Sequence, residues 1–150
     1  MNLKQRIEAF VHLGKIMKSL ADEEFQSAVG LTQEEFDAYQ ELIQRAKHYN
    51  AWFVEENVRA QMRSLASMLD KETLSAWVSD YTFQSKSAKK VAIIMAGNIP
   101  MVGFHDLMCV LMSGHHALVK YSSEDDRLIP ALLKLWGLAW PDMAKRISQA

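Results

Sequence analysis

Val91-Ala92-Ile93-Ile94-Met95-Ala96-Gly97-Asn98-Ile99-Pro100 is the stretch on which the fold turns. A short unbroken apolar run ended by Gly97-Asn98 is the pattern of a strand covered on both faces. Met101 to Ser113 follows as a segment apolar nearly all round, which predicts a buried helix. Gly114 stands just past its end, where glycine commonly closes a helix. Ala117-Leu118-Val119-Lys120-Tyr121 reads as a second strand. Ser123-x-x-Asp126 is expected to cap a further helix carrying Leu128, Ile129, Leu132, Leu133, Leu135 and Trp136. The order strand, helix, strand, helix implies a parallel pair joined by a right-handed crossover, the unit of doubly wound α/β sheets. Two strands make a poor sheet alone, so further strands are expected beyond Ala150 or from another chain. The sequence stops where such a pattern is due to enter another strand, so it reads as part of something longer.

Toward the amino terminus the period changes. Leu3, Ile7, Phe10, Val11, Leu13, Ile16, Met17 and Leu20 recur at the spacing of one apolar helix face. Thr32 and Glu35 form a capping box for a second helix with Phe36, Tyr39, Leu42, Ile43 and Ala46 on one side. Glu55-Glu56-Asn57 opens a third, with Val58, Met62, Leu65 and Met68 inward. Asp70 is the expected N-cap of a fourth, containing Leu74, Trp77 and Val78. The polar stretch from Gln84 to Lys90 marks a boundary, dividing a helical region, residues 1–88, from an α/β region, residues 89–150.

Composition narrows the classes of function. The chain has 150 residues, 49% of them hydrophobic and 23% charged, as in ordinary globular proteins. A formal net charge of -1 offers no electrostatic case for nucleic acid. No apolar run is long enough for a membrane span. Cys109 is the single cysteine, so no internal disulfide forms, and a reducing, cytoplasmic setting is the default.

Chemistry in an open parallel sheet gathers beyond the carboxyl ends of the strands. That brings Ala96-Gly97-Asn98-Ile99-Pro100 beside Lys120-Tyr121-Ser122-Ser123. Gly97, lacking a Cβ, lets backbone come close to a ligand. Pro100 suits a first helical turn. Asn98 then presents an amide N–H beside the backbone N–H groups of a helix N-terminus, and such donors stabilise a developing oxyanion. The plainer alternative is a turn in which Asn98 only caps the helix.

Residues 90–123, K-V-A-I-I-M-A-G-N-I-P-M-V-G-F-H-D-L-M-C-V-L-M-S-G-H-H-A-L-V-K-Y-S-S, resemble the acyl-CoA reductases of the LuxC type, a branch of the aldehyde dehydrogenase superfamily. The upstream segment H-Y-N-A-W-F-V-E-E-N-V-R, residues 48–59, is similar to the same family's amino-terminal part. The resemblance implies a Rossmann-like cofactor domain and reduction of an acyl-CoA thioester to an aldehyde by NADPH, or alternatively NADH. It implies Asn98 as the oxyanion donor and Lys120 as the contact to the adenosine ribose. Backbone around Ile94, Met95, Ala96 and Gly97 would line the cofactor cleft, with Ser122 and Ser123 at the second strand. Where the superfamily often carries a ribose-binding glutamate, this chain has Ser123, a change that suits a 2′-phosphate; Glu124-Asp125-Asp126 would oppose one.

The family's nucleophilic cysteine lies in a later part of its sequences, and Cys109 does not replace it. It sits between Met108 and Val110 in an apolar helix, where burial raises a thiol's pKa. These residues alone are therefore expected to be inactive. His105-Asp106 and His115-His116 are adjacent pairs that make poor acid–base or metal sites, and no metal is expected. His12 and His48 read as helix-surface residues. Met95, Met101, Met108 and Met112 read as core, with an acyl channel as the sharper alternative. Trp52-Phe53, Trp136 and Trp140 read as core or interdomain anchors. The rival to an enzyme is a non-catalytic nucleotide-binding or interaction module. Neither a phosphate-binding G-x-x-x-x-G-K-[ST] loop nor G-x-G-x-x-G occurs, which weighs against other doubly wound enzymes. Homo-oligomerisation is expected by analogy and from an unfinished sheet edge.

Overall fold

Apolar residues spaced by threes and fours make one face of the first helix, α1 (Leu3–Ala21), and bury Phe10, Leu13, Ile16, Met17 and Leu20 completely or nearly so. The structure is a computed structural model that describes residues 1–83 and 87–150. Part of the predicted polar boundary, residues 84–86, lies outside the described residues. Asn2 caps α1 in a capping box with Gln5, each side chain accepting from the other's backbone N–H at 2.9 Å. Helix α2 (Gln33–Arg45) opens on the expected Thr32–Glu35 box, and α4 (Lys71–Ser79) on Asp70. Between them α3 (Glu55–Met68) packs along α1. Val58, Met62 and Leu65 face inward as predicted, whereas Met68, in the last turn, is exposed.

The buried Arg59 ties these helices together. Its guanidinium donates to Leu20 O at 2.9 Å, to Gln40 Oε1 at 2.8 Å and to Glu55 Oε1 at 2.6 Å.

After the helices come β1 (Lys90–Ile94), α5 (Phe104–Met112), β2 (His116–Lys120), α6 (Leu128–Ala139), the short α7 (Pro141–Ala144) and β3 (Ile147–Gln149). The three strands form a parallel sheet in the order β1-β2-β3. The expected parallel pair is present, with Ile93 opposite Val119. A third strand, which the sequence pattern did not announce, is added within the chain at Ile147–Gln149. The architecture is mixed α/β, mostly helical, with a small parallel sheet.

Three expectations need correction. The strand run is covered on one face only. Ile93, Met95, Ala117 and Val119 are buried, while Ala92 is exposed and Ile94 is 81% exposed. Apolar character on both faces therefore does not report coverage on both faces. Second, α5 starts at Phe104, not Met101: residues 100–103 form turns, so Pro100 does not occupy a first helical turn. Gly114 does close α5, with a left-handed φ of 89°. Third, Ser123 caps nothing. Helix α6 begins at Leu128 with no side-chain cap, because Ser123 to Arg127 is spent in turns.

Long-range side-chain bonds latch the amino-terminal helices to the later elements. Arg6 Nε donates to Met112 O at 2.9 Å, Trp136 Nε1 to Ala9 O at 2.9 Å, and Tyr39 Oη to Leu128 O at 3.0 Å. Each such bond contributes about 1 kcal/mol net, and losing one would leave a buried polar group unpaired at greater cost.

Candidate functional site

Two turns meet at the carboxyl edge of the sheet, one following β1 and the other following β2. Their contact explains Gly97. A Cβ there would lie 2.7 Å from Ser122 Cβ and 2.8 Å from Glu124 Cβ, so only glycine lets the turns touch. Ser122 is half-buried against Gly97, and its Oγ accepts from Glu124 N–H at 3.2 Å. Ser123 is exposed.

Asn98, next in sequence, is exposed, and its side chain has no hydrogen-bond partner among the described residues. It lines an open cleft of about 600 Å³ with Asn50, Trp52, Ala96, Gly97 and Glu124. A second opening of about 390 Å³ shares Asn98 and Trp52 and adds Asn57, Gln61, Ile99 and Pro100. The free amide of Asn98 thus stands where both openings meet, not at a helix N-terminus.

The other predicted residues fall around this edge in different ways. Lys120 ends β2 with an exposed side chain, opposite Ile94 in the sheet. Its carbonyl accepts from Met95 N–H at 3.0 Å. Ile94 turns to the bare face of the sheet, and Met95 points into the core. Ala96 and Gly97 line the cleft.

Beneath the cleft two buried polar residues went unforeseen. Asn50 is 7% exposed and sits after a short 3-10 turn, Ala46–His48, where no periodicity singles it out. Its Nδ2 donates to Gly97 O at 3.4 Å and to Glu124 O at 3.5 Å, and its Oδ1 accepts from Trp52 N–H at 3.0 Å. Asp125 is 6% exposed, and its Oδ2 accepts from Met101 N–H at 2.6 Å. Met101 holds a left-handed φ of 58°, a conformation that costs a non-glycine residue about 1–2 kcal/mol. The other carboxylate oxygen, Oδ1, is buried without a partner. Burial pushes the Asp125 pKa up to about 6, against the pull of the Met101 and Leu128 N–H groups and with a further push from Asp126. The run of acids, Glu124-Asp125-Asp126, reads as helix-end charge in sequence; only packing selects the middle one for burial.

Of the two readings of Trp52, the core one does not hold. It is 77% exposed at the cleft, while Phe53 and Trp136 are core and Trp140 is half-buried. Met95, Met101, Met108 and Met112 are all buried, so the packing reading of the methionines holds.

A family model described as "Acyl-CoA reductase (LuxC)" matches residues 3–148. The chain belongs to that family. No curated protein and no solved structure matches the chain significantly. LuxC-family membership covers nearly the whole sequence, so helices α1 to α4 belong to the family unit as much as the sheet does. It implies an oxidoreductase whose substrate is an acyl-CoA.

Cys109 is half-buried rather than buried, 3.8 Å from His105 Nδ1. Burial first, and then Asp106, raise its pKa, the direction that blunts a nucleophile. His115 Nδ1 accepts from Lys89 N–H at 3.3 Å. His12, expected at a helix surface, is instead half-buried with Nε2 3.0 Å from Val29 O, and burial lowers its pKa. Among the described residues no group of three or more His, Cys, Asp and Glu side chains is placed to hold a metal ion. Among them, too, no helix is long and apolar enough to cross a membrane.

Proposed function

We propose that the protein reduces a fatty acyl-CoA thioester to an aldehyde with NADPH, and that Asn98 holds the oxygen of the reacting carbonyl. The observation that carries this reading is the family match over residues 3–148. The geometry supports it through the free Asn98 amide at the junction of two openings beyond β1 and β2, where ligands of parallel sheets bind.

In this reading residues 89–150 begin a Rossmann-like cofactor domain of the aldehyde dehydrogenase type, and residues 1–88 form a helical region that walls its cleft. The reaction is acyl transfer followed by reduction. A cysteine thiolate from outside these residues attacks the thioester carbonyl, and the carbonyl oxygen becomes an oxyanion held by the Asn98 amide. Collapse expels the CoA thiolate and leaves an acyl-enzyme thioester. A nicotinamide cofactor, when bound, would supply a hydride to that carbonyl, and the Asn98 amide would again meet the charge on its oxygen. The resulting thiohemiacetal releases the aldehyde and regenerates the thiolate.

Lys120 would hold the adenosine ribose, with Ala96 and Gly97 lining the cofactor cleft and Ser122 packed behind Gly97; the side chains of Ile94, on the bare face of the sheet, and Met95, in the core, would take no part. Ser123 leaves room for a 2′-phosphate, which favours NADPH over NADH; Glu124 in the cleft wall opposes it, so the assay compares both cofactors. The setting proposed is cytoplasmic, with self-association of the chain.

The natural full-length gene product should oxidise NADPH in a long-chain acyl-CoA-dependent manner and form aldehyde. Asn98→Ala should lower kcat by about 100-fold or more while cofactor affinity changes by less than about twofold. No thioester-dependent oxidation with any chain length or either cofactor would leave a non-catalytic nucleotide-binding module instead.

A further inference from the structure

Nothing but backbone aims Asn98. Its side chain has no hydrogen-bond partner among the described residues, yet an oxyanion donor works only when held close to where charge develops. The aim must therefore come from the turn that carries it.

Two buried polar groups grip that turn, one on each side of Asn98. On the amino-terminal side Asn50 donates to Gly97 O, the carbonyl of the peptide that leads into Asn98. The same amide donates to Glu124 O, and its own oxygen accepts from Trp52 N–H. Each of the three segments that wall the larger opening is thereby bonded to a single side chain. At 3.4 and 3.5 Å the two amide bonds are long and individually weak. On the carboxyl-terminal side Asp125 makes the stronger bond, 2.6 Å and charge-assisted, to Met101 N–H. The carboxylate is itself buried and holds a methionine in left-handed backbone, both unfavourable for folding alone. Such features gather where geometry serves a site.

We propose that Asp125 and Asn50 are positioning residues: together they clamp the turn from Gly97 to Met101 so that the Asn98 amide faces the cleft. The proposal rests on the reading of Asn98 as the oxyanion donor.

The test has two parts, both on the full-length protein. Hydrogen exchange at the Met101 amide reads the clamp without any chemistry: Asp125→Ala should speed it by about tenfold or more, and Asp125→Asn, which keeps an acceptor oxygen, by less. Unchanged exchange in Asp125→Ala overturns the clamp. The second part is a double-mutant cycle on kcat. Asp125→Ala should cost about tenfold with Asn98 present and less than about twofold in an Asn98→Ala background, because a mispositioned donor and an absent one lose the same interaction. Asp125→Asn should restore most of the turnover, with KM for acyl-CoA within about twofold throughout. Equal costs in both backgrounds overturn the positioning role, since a purely structural effect would not depend on Asn98. If Asp125→Ala does not fold, Asn50→Ala carries the same cycle, with an expected cost of about threefold that vanishes without Asn98. If Asn98→Ala alone is silent while Met101 exchange responds, the oxyanion reading has failed and the positioning role falls with it.

Discussion

The amino-terminal helices and the strand-bearing remainder are specified by different physics. Among the described residues of the first region, α1, α2 and α4 each open on a side chain that caps them, Asn2, Thr32 and Asp70. In the second none does: α5, α6 and α7 follow Gly103, Arg127 and Trp140, with no side-chain cap. The first region marks its boundaries with local chemistry, whereas the second takes them from what it packs against. The sheet repeats that lesson within one strand. Ile93 and Ile94 are adjacent and chemically identical, yet one is 6% and the other 81% exposed.

The sharpest way to break this comparison is to truncate both isoleucines. Ile93→Ala should cost about 2–4 kcal/mol in urea unfolding, the usual price of emptying a packed site. Ile94→Ala should stay within about 0.5 kcal/mol. Equal losses would mean that the outer face is covered in solution.

A smaller effect concerns Asp125, a group that only tertiary packing makes unusual. Its folded pKa of about 6 lies above the ordinary value of 3.8. A raised acid binds its proton more tightly in the folded state, so its contribution to stability is fullest below the unfolded value and is lost as pH rises through about 6. The groups acting on it are Asp126 and the Tyr39 hydroxyl, itself raised by burial and by Asp125, with Arg127 stacked on Tyr49 nearby. The melting temperature of Asp125→Asn minus that of wild type should therefore fall between pH 7.5 and pH 5, by about 1 kcal/mol or a few degrees. A difference that rises on acidification would contradict the buried, charge-disfavouring site.

Caps offer a comparable effect in the helical region. Thr32→Ala and Asp70→Ala should each cost about 1 kcal/mol, read by thermal or urea melting. Ser123→Ala, at the position that looks like a cap but is not one, should cost less than about 0.5 kcal/mol. A loss at Ser123 matching that at Thr32 would show that α6 begins earlier than Leu128.

These cases explain where sequence reasoning succeeded. Thr32-Gln33-Glu34-Glu35 announces a helix because both bonds of its box are made within four residues. Ser123-Glu124-Asp125-Asp126 carries the same kind of signal, but Asp125 is drawn instead to the Met101 amide, 24 positions away in sequence. The position of Asn98 in a turn beyond β1 was legible because a turn residue after an apolar run stands out. Asn50 was not: the two carbonyls its amide N–H groups meet lie 47 and 74 positions away, and its one local partner, Trp52 N–H, is an ordinary turn bond that does not mark it. The placing of Trp52 and Phe53 was hidden for a related reason: hydrophobicity predicts burial on average, but it does not say which of two neighbouring aromatics faces in.

By itself the sequence determined the capped helices, the parallel pair of strands, the glycine at the closing turn of α5 and the resemblance that the family match bears out. All of these depend on residues within a few positions of one another or on a contiguous motif. Only the tertiary structure decided which face of the sheet is covered, where α5 and α6 begin, and which buried polar groups hold the turn at Asn98. Those outcomes depend on competition among distant partners for a few backbone N–H and C=O groups and for space in the core. Such competition is settled when the chain packs, not by any local stretch of it.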